Sequence, residues 1–303
     1  MKKCIVDTSQ VYGYEELLAD IAELEQRYSF LQAGHAGRSV LGKSIPVLRI
    51  GTGDCPIHVN ASFHANEWIT SLLAMKFVED LVQACANMES LYGMDVDQLL
   101  GQTTLWVVPM VNPDGVELVH GRMAPESPIY AQLLDWNHGS ADFSGWKANA
   151  RGVDLNDQFP AGWGEEKERR GVTSPGPRDY GGEQPLSEPE ACAIAELTRS
   201  RDFRMVLALH TQGEEIYWNY RDLEPPESEE MACRLSLVSG YIPIKLTDSD
   251  AGYKDWFIQE FRRPGFTIEA GLGVNPLPLS QFPAMYEAVA RMILEAMAMG
   301  SRV

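Results

Sequence analysis

The chain has 303 residues and is 45% hydrophobic, enough apolar material for one large core, so a single α/β domain over residues 1–303 is expected. Its 43 acidic residues against 25 basic ones leave a net charge of −18, which repels a phosphate backbone and argues against nucleic acid as a partner. There is no apolar run of about twenty residues for a membrane span, nor a secretory-type apolar stretch near the start, and a cytoplasmic location is expected.

In chain order, Leu17, Leu18, Ile21 and Leu24 recur at helical spacing among acids and predict an amphipathic helix over residues 14–28. Residues 45–50 and 57–63 are short and rich in β-branched and apolar types, with a Gly-Thr-Gly-Asp turn between them, and read as strands. A helix over residues 69–86 and a strand over 105–111 follow, the latter closed by Asn112-Pro113-Asp114-Gly115 as a turn. Residues 139–182 are rich in Gly, Pro and charge and predict long ordered loops. Ser187-Glu188-Pro189-Glu190 reads as a capping box that starts a helix running to residue 199. Strands over 205–209 and 265–268, a helix over 253–261 and a last helix over 282–299 complete the pattern. Strands alternating with helices predict a mixed, largely parallel sheet covered on both faces, a three-layer α/β/α sandwich. Five scattered cysteines, none in a C-x-x-C pair, support neither a disulfide framework nor a cysteine metal site.

Three of the strands end in residues that carry chemistry. Phe63 leads into His64-Ala65-Asn66-Glu67, an H-x-x-E pair; the strand 205–209 leads into His210; and the strand 265–268 leads into Glu269. Open α/β sheets bind ligands at the carboxyl ends of their strands, so parallel neighbours would bring these groups to one rim. Two imidazoles and a carboxylate suit a catalytic Zn²⁺, which takes three protein ligands, and Glu269 is left over as general base. Each residue alone also fits a blander role: a hydrogen-bonded histidine at a strand end, or a glutamate in a salt bridge.

The order H-x-x-E, Asn112-Pro113-Asp114-Gly115, Gly152-Val153-Asp154-Leu155-Asn156, a strand-ending histidine and a late glutamate before a Gly-rich turn resembles the zinc carboxypeptidase family. The resemblance implies an α/β/α sandwich around a mixed eight-stranded sheet, one Zn²⁺ held by His64, Glu67 and His210, and Glu269 as general base. It further implies that Asp154 hydrogen-bonds a ligand histidine, His64, and that Lys147 stands where the family carries an arginine that polarises the scissile carbonyl.

Ordinary carboxypeptidases of this family hold the substrate's terminal carboxylate with an Asn-Arg pair, where this chain has Asn156-Asp157, and Asn66 replaces a second arginine. That charge reversal disfavours an unspecialised exopeptidase. The run 152–160, the stretch Pro177-Arg178-Asp179-Tyr180-Gly181-Gly182, and His210-Thr211-Gln212-Gly213 with Ile216-Tyr217-Trp218-Asn219-Tyr220 are similar to bacterial γ-D-glutamyl-L-diamino acid endopeptidases of the same family. The resemblance implies cleavage between γ-D-glutamate and meso-diaminopimelate in muropeptides, and Lys254 falls where the family's side-chain pocket is usually lined and could meet a substrate carboxylate. The charge reversal itself leads to the expectation that Asn156 and Asp157 face the substrate, with Asp157 meeting an ammonium or amide of the diamino acid instead of a carboxylate. The aromatic cluster Tyr217, Trp218 and Tyr220 favours a peptide-sized substrate. Alternatives are a zinc carboxypeptidase of other specificity, a zinc deacylase acting on N-acyl amino acids, and a non-catalytic binding protein that has kept the metal. Oligomeric state is not legible.

Overall fold

The computed structural model describes residues 4–300. Its strands are β1 (Gln32–Arg38), β2 (Ser44–Ile50), β3 (Cys55–Ala61), β4 (Ser90–Leu91), β5 (Met94–Asp95), β6 (Thr103–Val108), β7 (Met205–His210), β8 (Glu215–Tyr217), β9 (Ile242–Ile244) and β10 (Gly265–Glu269). β4 and β5 form a small antiparallel hairpin, and the other eight make one sheet in the order β1-β2-β6-β3-β7-β10-β8-β9. The four central strands β6, β3, β7 and β10 run parallel, whereas β1, β2 and β6 are joined antiparallel and β8 pairs antiparallel with β10. This is the mixed eight-stranded α/β sheet expected from the sequence.

The central strands are buried on both sides because their side chains alternate between two apolar layers. Ile57, Val59, Leu207, Leu209, Phe266 and Ile268 join the larger core, beneath the helices Ile69–Asn87 and Phe282–Gly300. Val206 and Ala208 join the second core with the helices Pro189–Ser200 and Tyr253–Phe261. Each large side chain fully buried there contributes about 1.5–3 kcal/mol relative to exposure. Breaking this period-2 alternation by one residue would turn the strand-end groups to the wrong layer.

From β3 the chain crosses to β6 on one side, and β7 later lies on β3's other side, so the strand order reverses at β3. Such a switch point leaves a crevice at the carboxyl ends of the strands. Parallel register aligns those ends: Ala61 is opposite Leu209, and His210 is opposite Glu269.

Several boundaries differ from expectation. β3 stops at Ala61 rather than at residue 63, because Ser62 turns left-handed at φ 53° and is held there by hydrogen bonds with Thr70 and Ser71. His210 and Glu269 are the last residues of their strands instead of the first beyond them. Residues 112–115 are not a free turn: Asn112 caps the helix Pro113–Val119 by accepting from the Gly115 N–H at 3.0 Å. The loop region 139–182 contains a helix, Trp163–Arg170. β1, β8 and β9 escape the sequence pattern because they are short or lack apolar alternation. The helix Ser228–Ser239 was not expected either, although its buried Ser228, Met231, Ala232 and Leu235 keep helical spacing.

The capping box at Ser187 does not form. Glu188 occupies the N-cap position, and Ser187 donates its hydroxyl to Gln158 Oε1 at 3.2 Å. Glu190 turns into the protein, where it accepts the Val40 N–H at 2.9 Å and the Asn149 amide at 3.2 Å. Burial pushes its carboxyl from 4.5 up to about 7, against the pull of those donors. The folded chain therefore holds a proton that the unfolded chain releases, and stability falls as pH rises from 4.5 through 7. Glu190→Gln is expected to flatten that fall, which is on the order of 3 kcal/mol, when urea unfolding is compared at about pH 5 and about pH 8. An unchanged slope would show that Glu190 is ionised in the native state.

Candidate active site

His64, Glu67 and His210 are buried together at the switch point. His64 Nδ1 lies 2.8 Å from Glu67 Oε1, His210 Nδ1 lies 3.0 Å from Glu67 Oε2, and the two Nδ1 atoms are 3.3 Å apart. One nitrogen of each ring and the carboxylate thus face a common point, with the candidate ligand atoms all within 4.8 Å of one another. Two imidazoles and one carboxylate converging in this way match the ligand set of a catalytic zinc centre and leave room for a fourth ligand.

The turn that carries His64 and Glu67 is braced from outside. Asn112 donates its amide to the Phe63 carbonyl at 3.1 Å and to the Ala148 carbonyl at 3.0 Å, and the Ala65 N–H donates to the Lys147 carbonyl at 3.0 Å. Gly115 is required here, because a Cβ at that position would stand 2.7 Å from the Ala148 carbonyl oxygen. Phe63 stacks on the His210 ring at 6.1 Å with an interplanar angle of 3°. On the far side of His64, Nε2 lies 3.1 Å from Asp154 Oδ1. Asp154 also accepts the backbone N–H groups of Asn156 and Asp179, and although burial works against it, His64 and then Lys147 hold its carboxyl well below the usual carboxylate range.

Glu67 is the most heavily engaged group. Besides the two histidines it meets Lys147 Nζ at 3.3 Å, the Thr211 N–H at 3.2 Å and the Asn275 amide at 3.3 Å. Its carboxyl stays ionised against the burial penalty through His64 and Lys147. Asn275 in turn donates to the Thr211 carbonyl at 2.9 Å and accepts from the Thr211 hydroxyl at 2.7 Å.

A cleft of about 530 Å³ opens over this cluster, lined among others by Asn66, Lys147, Arg178, Tyr217, Glu269, Val274 and Asn275. Desolvation, together with the nearby charge of Glu67, pushes the Glu269 carboxyl up to about 8. A carboxylate so raised is suited to take a proton near neutral pH. Asn66 Oδ1 is buried without a protein partner.

The expected substrate-binding residues lie elsewhere. Asp157 is buried beside Arg170, whose Nε is 3.3 Å from its Oδ2, and Arg170 also reaches Glu166 at 2.8 Å. Burial and Asp154 push Asp157 up to about 8 while Arg170 pulls the other way. Asp157 therefore belongs to a structural charge network and not to the cleft wall. Asn156 does not line the cleft either; its N–H supports Asp154. Lys254 is buried, with Nζ 2.5 Å from Asp255 and 2.6 Å from the Asn219 carbonyl oxygen, so it has no free reach toward a substrate. Of the aromatic cluster, Tyr217 lines the cleft while Trp218 and Tyr220 are buried. Sequence reasoning assigned no role to Asn112, Thr211, Asn275 or Arg178; Asn275 lies in the Gly-rich turn after Glu269, and the others sit in quoted motifs.

A family model described as zinc carboxypeptidase matches residues 17–241. The chain is 53% identical over 283 residues to γ-D-glutamyl-L-diamino acid endopeptidase 1 of Lysinibacillus sphaericus, covering 93% of this chain and 71% of the relative. It is 39% identical over 297 residues to the protein YqgT of Bacillus subtilis (strain 168), covering 96% of this chain and 78% of that one. Its fold superposes on thrombin-activatable fibrinolysis inhibitor with a TM-score of 0.79 at 19% identity, covering 99% of this chain and 77% of that chain. With its eight-stranded sheet, its His-Glu-His cluster at the switch point and these similarities, the chain belongs to the zinc carboxypeptidase family of metallopeptidases.

Proposed function

We propose that this protein is a zinc-dependent peptidase that hydrolyses the amide bond between γ-D-glutamate and a diamino acid, such as meso-diaminopimelate in murein peptides. The observation that carries the chemistry is the convergence of His64, Glu67 and His210 on one point beneath a cleft that also holds Glu269 and Lys147. The substrate class is supported by the 53% identity to a γ-D-glutamyl-L-diamino acid endopeptidase across nearly the whole chain. It is also supported by Asp157, which stands where carboxypeptidases use an arginine for a terminal carboxylate and here pairs with Arg170.

In this reading His64, Glu67 and His210 hold the metal, and Asp154 fixes the His64 ring from behind. Bound there, Zn²⁺ supplies Lewis acidity that polarises a carbonyl and acidifies a water. Glu269 accepts the proton of the attacking water and returns it to the nitrogen of the departing amine, so that the C–N bond breaks without expelling an amide anion. Lys147 faces the oxygen on which negative charge develops, as a point charge without a guanidinium's two-pronged geometry.

Three outcomes test the proposal. A chelator should abolish hydrolysis of a γ-D-glutamyl-diaminopimelate peptide and Zn²⁺ should restore it, with about one metal per chain by elemental analysis; full activity in the chelated protein would refute a metal-dependent reaction. Glu269→Gln should lower kcat by about 10²–10⁴-fold while metal content stays at the wild-type level. Asp154→Asn should weaken zinc affinity by about 10–100-fold in a competition titration with a chromophoric chelator, and wild-type affinity would remove Asp154 from the metal centre.

A further inference from the structure

We propose that Arg178 is a specificity residue, forming beside Lys147 a subsite for the α-carboxylate that a γ-linked glutamate leaves free. The inference rests on the function proposed above and names a group of the γ-linked glutamate that the cleft would recognise.

Arg178 lines the cleft together with His64, Glu67, Lys147 and Glu269. Its Nε lies 3.1 Å from Asp179 Oδ2, and no carboxylate or carbonyl among the described residues is recorded against its two terminal nitrogens. The side chain is 56% exposed, so that end of the guanidinium is open to the cleft. In a chain with 43 acidic residues other arginines are already paired: Arg170 with Asp157 and Glu166, and Arg169 and Arg221 with Asp250. An arginine whose fork is left unpaired in the cleft is preorganised for a planar anion, which it can bind by two parallel hydrogen bonds.

Its backbone is fixed on both sides. The Pro177 carbonyl accepts the N–H groups of Lys147 at 2.8 Å and of Ala148 at 3.0 Å, so Arg178 starts next to Lys147. The Asp179 N–H donates to Asp154 Oδ2 at 3.2 Å, tying the following residue to the carboxylate behind His64. Arg178 is thereby held beside the cation that faces the scissile carbonyl oxygen. In a γ-glutamyl amide the α-carboxylate is separated from that carbonyl only by the two side-chain methylenes and Cα. An α-linked residue without an acidic side chain offers the guanidinium no charge at that place, and an α-linked glutamate, whose γ-carboxylate is the same number of bonds away, carries its acylated nitrogen beside the scissile carbonyl instead of beside the carboxylate.

The test compares three peptides on the wild-type holoenzyme and on Arg178→Gln: γ-D-glutamyl-diaminopimelate with all carboxylates free, the same peptide with the glutamyl α-carboxylate as a carboxamide, and the same peptide with the diaminopimelate α-carboxylate as a carboxamide. Wild type is expected to favour the free acid over the glutamyl carboxamide by about 10–100-fold in kcat/KM, chiefly through KM. In Arg178→Gln that ratio should fall to about one, and Arg178→Lys should restore part of it, since a lysine keeps the charge and loses the fork. Wild-type kcat/KM equal on acid and glutamyl carboxamide overturns the subsite while leaving the proposed reaction standing. Discrimination that follows the diaminopimelate carboxamide instead, or a ratio unchanged in Arg178→Gln, also overturns it. No cleavage of any of the three by zinc-loaded wild type would refute the proposed reaction and the subsite with it.

Discussion

One buried carboxylate organises the site. Glu67 lies at the centre of five nitrogen atoms drawn from four distant parts of the chain: those of His64, Lys147, His210 with Thr211, and Asn275. A carboxylate stripped of water costs several kcal/mol unless every lone pair is met, so the fold must bring those segments together to keep Glu67 ionised. The same convergence gathers the candidate metal ligands, because the groups around Glu67 include both histidines of the His-Glu-His cluster.

Each supporting segment is fixed by backbone hydrogen bonds, not by side-chain contacts alone. Lys147 holds the Ala65 N–H with its own carbonyl and gives its N–H to Pro177. Pro177 leads into Arg178 and Asp179, and Asp179 returns to Asp154 and hence to His64. A closed circuit of this kind explains how a stretch rich in Gly, Pro and charge can be well ordered: its polar backbone is paired with the machinery it surrounds.

Charge is distributed unevenly for the same reason. A net charge of −18 says little about a surface that only needs to stay soluble, yet the cleft holds two cations, Lys147 and Arg178, beside Glu67 and Glu269. Asp157 shows the opposite arrangement. A charge reversal that stands out in the sequence is neutralised within the protein by Arg170, and its consequence for substrate is indirect: it removes a cation from the cleft without adding an anion to it.

The sequence determined the central strands and the candidate ligands at their ends. Side-chain patterning over residues 57–63, 205–209 and 265–268 put His64, Glu67, His210 and Glu269 at strand ends, because a strand's extent is a local property of its sequence; that these strands are parallel neighbours was decided by their pairing in the sheet. Tertiary structure decided which charges are free. Asp157, Lys254 and Arg178 are alike in sequence as charged residues in quoted motifs, but Arg170 and Asp255 claim the first two, and among the described residues no carboxylate other than its neighbour's meets the third. Nor could local pattern reveal that Asn112 and Asn275 clamp the metal turn, since a side-chain hydrogen bond to a backbone group dozens or hundreds of residues away leaves no periodic trace.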